Sequence, residues 1–316
     1  MRSLSPFLIS DRAPLSVIPR AVRRRTSPSF RGDAEESKKG KKHDKFHFLS
    51  SLARCGASVR QGISSSALCH QAYIRRFFNQ IQEKNMINIG DIEKFSLVDW
   101  PNKIAAVVFM QGCPWRCPFC YNQTLQNPHI EGAATWENLI HLLEHRKGII
   151  DAVVFSGGEP LLQDNLPQAM DVVIDMGFKV GLHTGGFKPE AFEKVLPKIA
   201  WVGFDIKAPF ISERYKKATG GIADVEKVQQ SLQMLIKSGV PFECRTTCDP
   251  RILNIDDIYQ MADTLANLGV KEYYLQKYRP IPTDKTTQES ECNKFFNDEK
   301  LLAYLRSEFA IFDARK

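Results

Sequence analysis

The segment Gln111-Gly112-Cys113-Pro114-Trp115-Arg116-Cys117-Pro118-Phe119-Cys120-Tyr121-Asn122 holds three thiols in the pattern Cys113-x3-Cys117-x2-Cys120, directly after the apolar run 104–110. Val107, Val108 and Phe109 in that run are the β-branched and aromatic residues of a buried strand. The thiols therefore sit on a loop leaving a strand. Structural zinc closes a tetrahedron with four Cys or His ligands in two spaced pairs, and neither His129 nor any later cysteine supplies a second pair. Three thiolates suit a cubane iron–sulfur cluster, holding three irons and leaving the fourth open to a ligand that is not protein.

Downstream of the loop one unit recurs: an amphipathic helix, a glycine, an apolar strand. Trp136, Leu139, Ile140 and Leu143 share a helical face behind Thr135 as N-cap, and Gly148 precedes a strand at 152–155. Asp164 or Asn165 caps a helix with Pro167 in its first turn and Met170, Val173 and Ile174 on one face; Gly177 then precedes a strand at 179–184. A shorter helix at 190–196 leads to a strand at 201–206. The stripes Val225, Val228, Leu232, Leu235 and Ile258, Met261, Leu265, Leu268 stop at Gly239 and Gly269, ahead of strands at 242–247 and 272–278. Six strands alternating with helices demand parallel pairing with right-handed crossovers. Six units cannot close an eight-stranded barrel, so the sequence predicts an α/β fold, a partial, splayed (β/α)6 TIM-like barrel over residues 86–316. The polar stretch 279–293 reads as a loop, followed by a helix from about Asp298 and a last strand at 309–312.

Charge divides the chain unevenly. Residues 1–85 hold 17 Lys+Arg and 6 Asp+Glu, whereas residues 86–316 hold 26 and 30. The part bearing the cysteines is slightly acidic, which argues against a nucleic-acid partner. The apolar run at 104–110 falls far short of the roughly 20 residues of a membrane span, so no membrane role is expected. Residues 1–85, with Arg23-Arg24-Arg25 and Lys38-Lys39-Gly40-Lys41-Lys42, show no sustained period and read as a basic, disordered extension with at most a helical turn or two at 72–81. Three origins compete for it: a targeting presequence, a basic arm, or non-native residues ahead of a start near Met86. Eight cysteines, three clustered and five scattered, do not form a secreted disulfide framework and point to a reducing interior, the cytoplasm.

In barrels of this kind the residues that act lie where strands end. Gly157-Gly158-Glu159 follows the second predicted strand, and is either a tight turn or a place where backbone approaches a ligand and a carboxylate accepts from an amine. His183-Thr184 ends the third. Asp205-x-Lys207 ends the fourth, as an ordinary ion pair or as a ligand contact. Arg245 belongs to the fifth and Gln276 to the sixth. Cys244 and Cys248 lack a completing pair and read as ordinary thiols; Cys292 stands alone, and Cys55 and Cys69 lie in the extension.

The cysteine loop, with Phe119 before its last thiol, resembles the signature of radical S-adenosylmethionine (SAM) enzymes. Phe95-Ser96-Leu97-Val98-Asp99-Trp100-Pro101, Gln111-Gly112-Cys113, Phe204-Asp205-Ile206-Lys207-Ala208-Pro209, Cys244-Arg245-Thr246-Thr247 and Leu275-Gln276 further resemble the anaerobic ribonucleoside-triphosphate reductase activating proteins within that superfamily, glycyl-radical enzyme activating enzymes. The resemblance implies one three-cysteine-ligated 4Fe-4S cluster on Cys113, Cys117 and Cys120, and SAM held by Phe119, Gly157, Gly158, Glu159, His183, Thr184, Asp205, Lys207, Arg245 and Gln276. It implies reductive cleavage of SAM to a 5'-deoxyadenosyl radical that takes a Cα hydrogen from a glycine of a partner enzyme. An electron donor such as flavodoxin or ferredoxin would complete the system, and no side chain need act as acid or base. Two departures stand out: Tyr121 where His is common, and His183 where Asp helps hold a monovalent cation. Two rival readings share the loop, a small-molecule enzyme like 7-carboxy-7-deazaguanine synthase and a non-catalytic metal-binding module.

Overall fold

The computed structural model describes residues 86–316, and the extension at 1–85 lies outside them. Eight strands form one sheet in the order of the chain: β1 (Ile89–Ser96), β2 (Ala105–Met110), β3 (Ala152–Gly157), β4 (Lys179–Thr184), β5 (Trp201–Asp205), β6 (Phe242–Cys248), β7 (Glu272–Lys277) and β8 (Ile311–Arg315). From β2 to β8 every neighbouring pair is parallel, and β1 runs antiparallel to β2. Since β1 and β8 are the two ends of this order, the sheet curls without closing. The six predicted parallel strands are β2 to β7. The strand expected at 309–312 is displaced to β8, and β1 is an addition that the sequence reading lacked.

Helices connect the strands: α1 (Trp136–His145), α2 (Leu166–Asp175), α3 (Pro189–Val195), α4 (Ser212–Thr219), α5 (Val225–Ser238), α6 (Ile255–Asn267), α7 (Glu289–Asn293) and α8 (Glu299–Glu308). Their starts are written locally. The Thr135 hydroxyl accepts from the Asn138 N–H in a capping box, Asp224 caps α5, and Asp298 caps α8. Asn165 precedes α2 but makes no side-chain cap bond; Pro167 in the first turn, which has no N–H to satisfy, shapes that start instead. The short helix α7 occupies the end of the stretch read as loop.

Alternation along the strands sorts residues to two faces. Ala106, Val108, Met110, Val153, Phe155, Val202, Phe204, Cys244, Tyr273 and Leu275 join the helices in one continuous core. Ala105, Val107, Ala152, Val154 and Trp201 face inward, where Trp100 packs among them. Trp100 and Trp201 stack with centroids 5.5 Å apart. A Cβ on Gly181 would lie 2.8 Å from the Trp100 ring, so glycine there admits the indole. The tryptophan pair fills the inside of the curl at the level where the parallel strands begin, which leaves the other end to hold the cavity described next.

Candidate functional site

A cavity of about 180 Å³ opens at the carboxyl ends of β2 to β6. Its walls contain all three predicted metal ligands, Cys113, Cys117 and Cys120, together with nine of the ten predicted cofactor contacts: Phe119, Gly157, Gly158, Glu159, His183, Thr184, Asp205, Lys207 and Arg245. Gln276 stands apart. It pairs in register with Thr247, and it is Thr247 that reaches the cavity wall.

The two glycines, besides lining the cavity, make a close contact between backbones. Gly157, at φ 101°, and Gly158 press against the end of β2 and the start of the cysteine loop: a Cβ on Gly157 would strike the Phe109–Met110 backbone, and one on Gly158 the Gly112 carbonyl. The Gly158 N–H donates to the Met110 carbonyl and the Glu159 N–H to the Gly112 carbonyl, both at 2.9 Å. The glycines thus hold the end of β3 against the cysteine loop.

Glu159, 2% exposed, is gripped by its own surroundings. Oε1 accepts from the Thr184 hydroxyl at 2.6 Å and the Leu161 N–H at 3.1 Å, and Oε2 accepts from the Gly185 N–H at 3.0 Å. A carboxylate offers about four lone-pair positions, so one on Oε2 stays free for a donor in the cavity. Burial raises its pKa, against the lowering effect of these three bonds and of Lys207.

Across the cavity, Lys207 Nζ stands 5.5 Å from the Trp115 ring centre, 5.9 Å from that of Phe119 and 3.6 Å from Asp205 Oδ2. Both rings belong to the cysteine loop, so a cation on the β5 end faces the loop that carries the thiols. Trp115, with a buried indole N–H that has no partner among the described residues, fits because Gly185 presents no side chain against its ring. Asp205 Oδ1 takes Arg245 Nε at 3.0 Å and Nη2 at 2.8 Å. Burial would raise the Asp205 pKa, but Arg245 and Lys207 outweigh it and the carboxyl is held below its ordinary value.

His183 has both ring nitrogens engaged. Nδ1 lies 3.1 Å from the Ser156 hydroxyl, and Nε2 lies 2.8 Å from the Asp99 carbonyl and 3.2 Å from Arg245 Nη1. The tautomer with the proton on Nε2 satisfies Asp99 and accepts from Ser156, which leaves no ring donor free for a cofactor carboxylate. Burial and the adjacent Arg245 guanidinium push its pKa down to about 3. His183 accordingly stays neutral in the fold while it takes up a proton in the unfolded chain below about pH 6.5. Its stabilising share is complete above pH 6.5 and is lost as pH falls toward 3. Denaturant titrations at pH 7 and 4.5 should show a shallower acid loss in His183→Gln, by up to about 1.4 kcal/mol per pH unit. Equal slopes in the two proteins would remove His183 as the cause.

The cysteine side chains fit a cluster better than a single ion. Among the described residues no three Cys, His, Asp or Glu side chains converge on one metal position, although the three thiols line one cavity. A cubane takes one thiolate per iron corner and needs no such convergence. Burial pushes the Cys113 thiol up to about 12 and the Cys117 thiol up to about 11, so loading the site must release protons. Cys244, Cys248 and Cys292 are fully buried in the helix-facing core, away from this cavity. Cavity residues to which the sequence reading gave no site role are Trp115, Tyr121, Asn122, Gln126, Ser156, Gly185 and Thr247. Those next to the cysteines and strand ends were reachable by position alone.

Residues 107–265 match the sequence profile of the Radical SAM superfamily. The chain belongs to the radical SAM superfamily. It is an enzyme of that chemistry, with a 4Fe-4S cluster and SAM as its cofactors. The pyruvate formate-lyase-activating enzyme of Clostridium pasteurianum is 30% identical over 211 residues, covering 63% of this chain and 85% of that protein. MJ1227 of Methanocaldococcus jannaschii, provisionally named a glycyl-radical enzyme activating enzyme, is 29% identical over 221 residues, covering 65% and 90%. Streptococcus suis SuiB, a solved structure, superposes with TM-score 0.53 at 14% identity. The alignment covers 85% of this radical SAM chain and 59% of SuiB, a likeness of fold alone.

Proposed function

We propose that this radical SAM enzyme installs a glycyl radical on a partner enzyme, in particular an anaerobic ribonucleoside-triphosphate reductase. The relatedness to activating enzymes along most of their length carries the reading. The uncurled edge between β1 and β8 supports it, because a polypeptide loop needs a lateral way in. When bound and reduced, the cluster supplies the electron that cleaves SAM to methionine and the 5'-deoxyadenosyl radical.

The chain's own task is placement. Cys113, Cys117 and Cys120 would hold the cluster. Glu159, through the free position on Oε2, would accept from the SAM ammonium group. Lys207 and Arg245 would face its carboxylate, and Asp205 its ribose. Phe119, Gly157, Gly158, Thr184 and His183 would shape and support this set, with Gln276 further round the sheet. The electron would come from flavodoxin or ferredoxin, and the reaction would run in the reducing cytoplasm. Among the described residues no helix is long and apolar enough to cross a membrane.

Glu159→Gln tests the ammonium contact. The amide cannot accept at both oxygens, so SAM affinity by calorimetry is expected to fall at least roughly tenfold; unchanged affinity would free Glu159 of this role. The partner is tested by electron paramagnetic resonance. A doublet glycyl signal should appear on the reductase only when this protein, SAM and reductant are all present. SAM cleavage without that signal would discard the reductase as partner and leave the radical chemistry standing.

A further inference from the structure

Between the cysteine loop and the segment 279–293 lies a side-chain cluster that the placement of SAM does not use. Asp249, fully covered just after β6, receives the Arg251 guanidinium on both oxygens: Nε to Oδ1 at 2.9 Å and Nη2 to Oδ2 at 2.6 Å. Nη1 of the same group meets Asp284 Oδ2 at 2.9 Å, and the Asp284 side chain is 1% exposed. Nη2 also reaches the Tyr278 hydroxyl at 2.8 Å and the Pro118 carbonyl at 3.2 Å. Pro118 lies between Cys117 and Cys120. The Tyr278 hydroxyl donates to Asp284 Oδ2 at 2.9 Å, while Asp284 Oδ1 accepts from the Thr286 N–H and hydroxyl and the Thr287 N–H. A second tie runs beside the first, because the Arg279 N–H donates to the Tyr121 hydroxyl at 2.7 Å.

One guanidinium therefore serves two covered carboxylates, a tyrosine between β7 and the segment, and a carbonyl inside the cysteine loop. Neither carboxylate tolerates losing its cation cheaply, and hydrogen bonds that share a donor group change together. A shift of Asp284 on the segment, or of Tyr278 just before it, must move Arg251 or strip it of partners, and in both cases the contact to Pro118 changes.

We propose that Arg251 is a positioning residue for the cysteine loop and couples it to Asp284 of the segment 279–293, so that whatever displaces Asp284 alters the surroundings of the cluster. The coupling is a property of this chain by itself. It stands or falls separately from the identity of the partner enzyme.

The test is hydrogen–deuterium exchange on the full-length, anaerobically reconstituted protein carrying Asp284→Asn. Among the described residues Asp284 makes no contact with the cysteine loop, so its effect there passes through Arg251 and Tyr278 or through the Arg279–Tyr121 bond, and Arg251→Lys separates the two routes. Amide exchange is expected to quicken roughly tenfold at 117–121 as well as at 279–293. Tyr278→Phe, which removes only the hydroxyl, should give the same pattern in milder form. Glu289→Gln, which breaks the Lys277 ion pair on the same segment outside the cluster of contacts, should quicken exchange at 279–293 alone. Arg251→Lys should keep its iron yet change the line shape of the reduced cluster's resonance. Acceleration confined to 279–293 in both Asp284→Asn and Tyr278→Phe, or a wild-type line shape in Arg251→Lys, would overturn the coupling.

Discussion

Cys117→Ala should fold, retain its helix and strand content, and hold fewer than one iron per chain after anaerobic reconstitution, against about four in the parent protein. The thiol is one of three that line the cavity, and its loss leaves two corners of a cubane on protein. Nothing nearby replaces it: the remaining described cysteines lie in the helix-facing core, where burial raises the pKa of each. The loop itself keeps its path, since Gly112 donates to the Leu125 carbonyl, Cys113 to that of Gln126 and Arg116 to that of Thr219. SAM cleavage should therefore vanish with the iron while the melting transition stays cooperative. The matched control is Cys248→Ala, which opens a small void in a packed region and costs about 1–2 kcal/mol but leaves iron content intact. Iron loss in the control, or iron retention in Cys117→Ala, would mean that the ligands are other than Cys113, Cys117 and Cys120.

The parallel strands β2 to β7 were legible because each is short, and β3, β4, β6 and β7 each follow a helix and a glycine, Gly148, Gly177, Gly239 and Gly269. β1 was not. Its pairing with β2 is interrupted between Ile89 and Asp91 and again between Glu93 and Ser96, which destroys a period of two, and Asp91, Glu93 and Lys94 give it a polar surface. Helix α4 was missed for a related reason, since Ser212–Thr219 buries only Tyr215, Ala218 and Thr219. At the cavity, residue types and spacing pointed to the thiols, while Glu159, Asp205 and Lys207 each kept a structural alternative until the resemblance to radical SAM enzymes was drawn in. What could not be read were pairings between distant parts of the chain. Nothing local says that Arg251 reaches Pro118 across 133 positions, or that His183 spends its ring nitrogens on Asp99 and Ser156. The same limit explains why the Gly157-Gly158 pair was legible as a motif while its packing against the backbone of Met110 and Gly112 was not.

That packing makes Gly158→Ala a severely damaging methyl in the site. The added carbon would overlap the Gly112 carbonyl oxygen, a backbone atom with no rotamer to give, and that carbonyl is already bonded to the Glu159 N–H. Relief requires the end of β3 to part from the cysteine loop, which breaks that bond or the one from Gly158 to Met110 and moves Glu159 relative to the thiols. Overpacking of this kind costs about 3 kcal/mol, and in a domain this size the melting midpoint should fall by roughly 10 °C. Gly148→Ala is the comparison that separates crowding from conformation. Gly148 has a positive φ, 80°, which Gly158 lacks, but an added Cβ there meets nothing within 4 Å, so only the backbone penalty of about 1 kcal/mol applies. If the two variants melt together, the contact between β3 and the cysteine loop is looser than drawn. If Gly158→Ala alone is crippled and also fails to retain iron, the glycine pair is the seam that keeps the carboxylate and the thiols in one cavity.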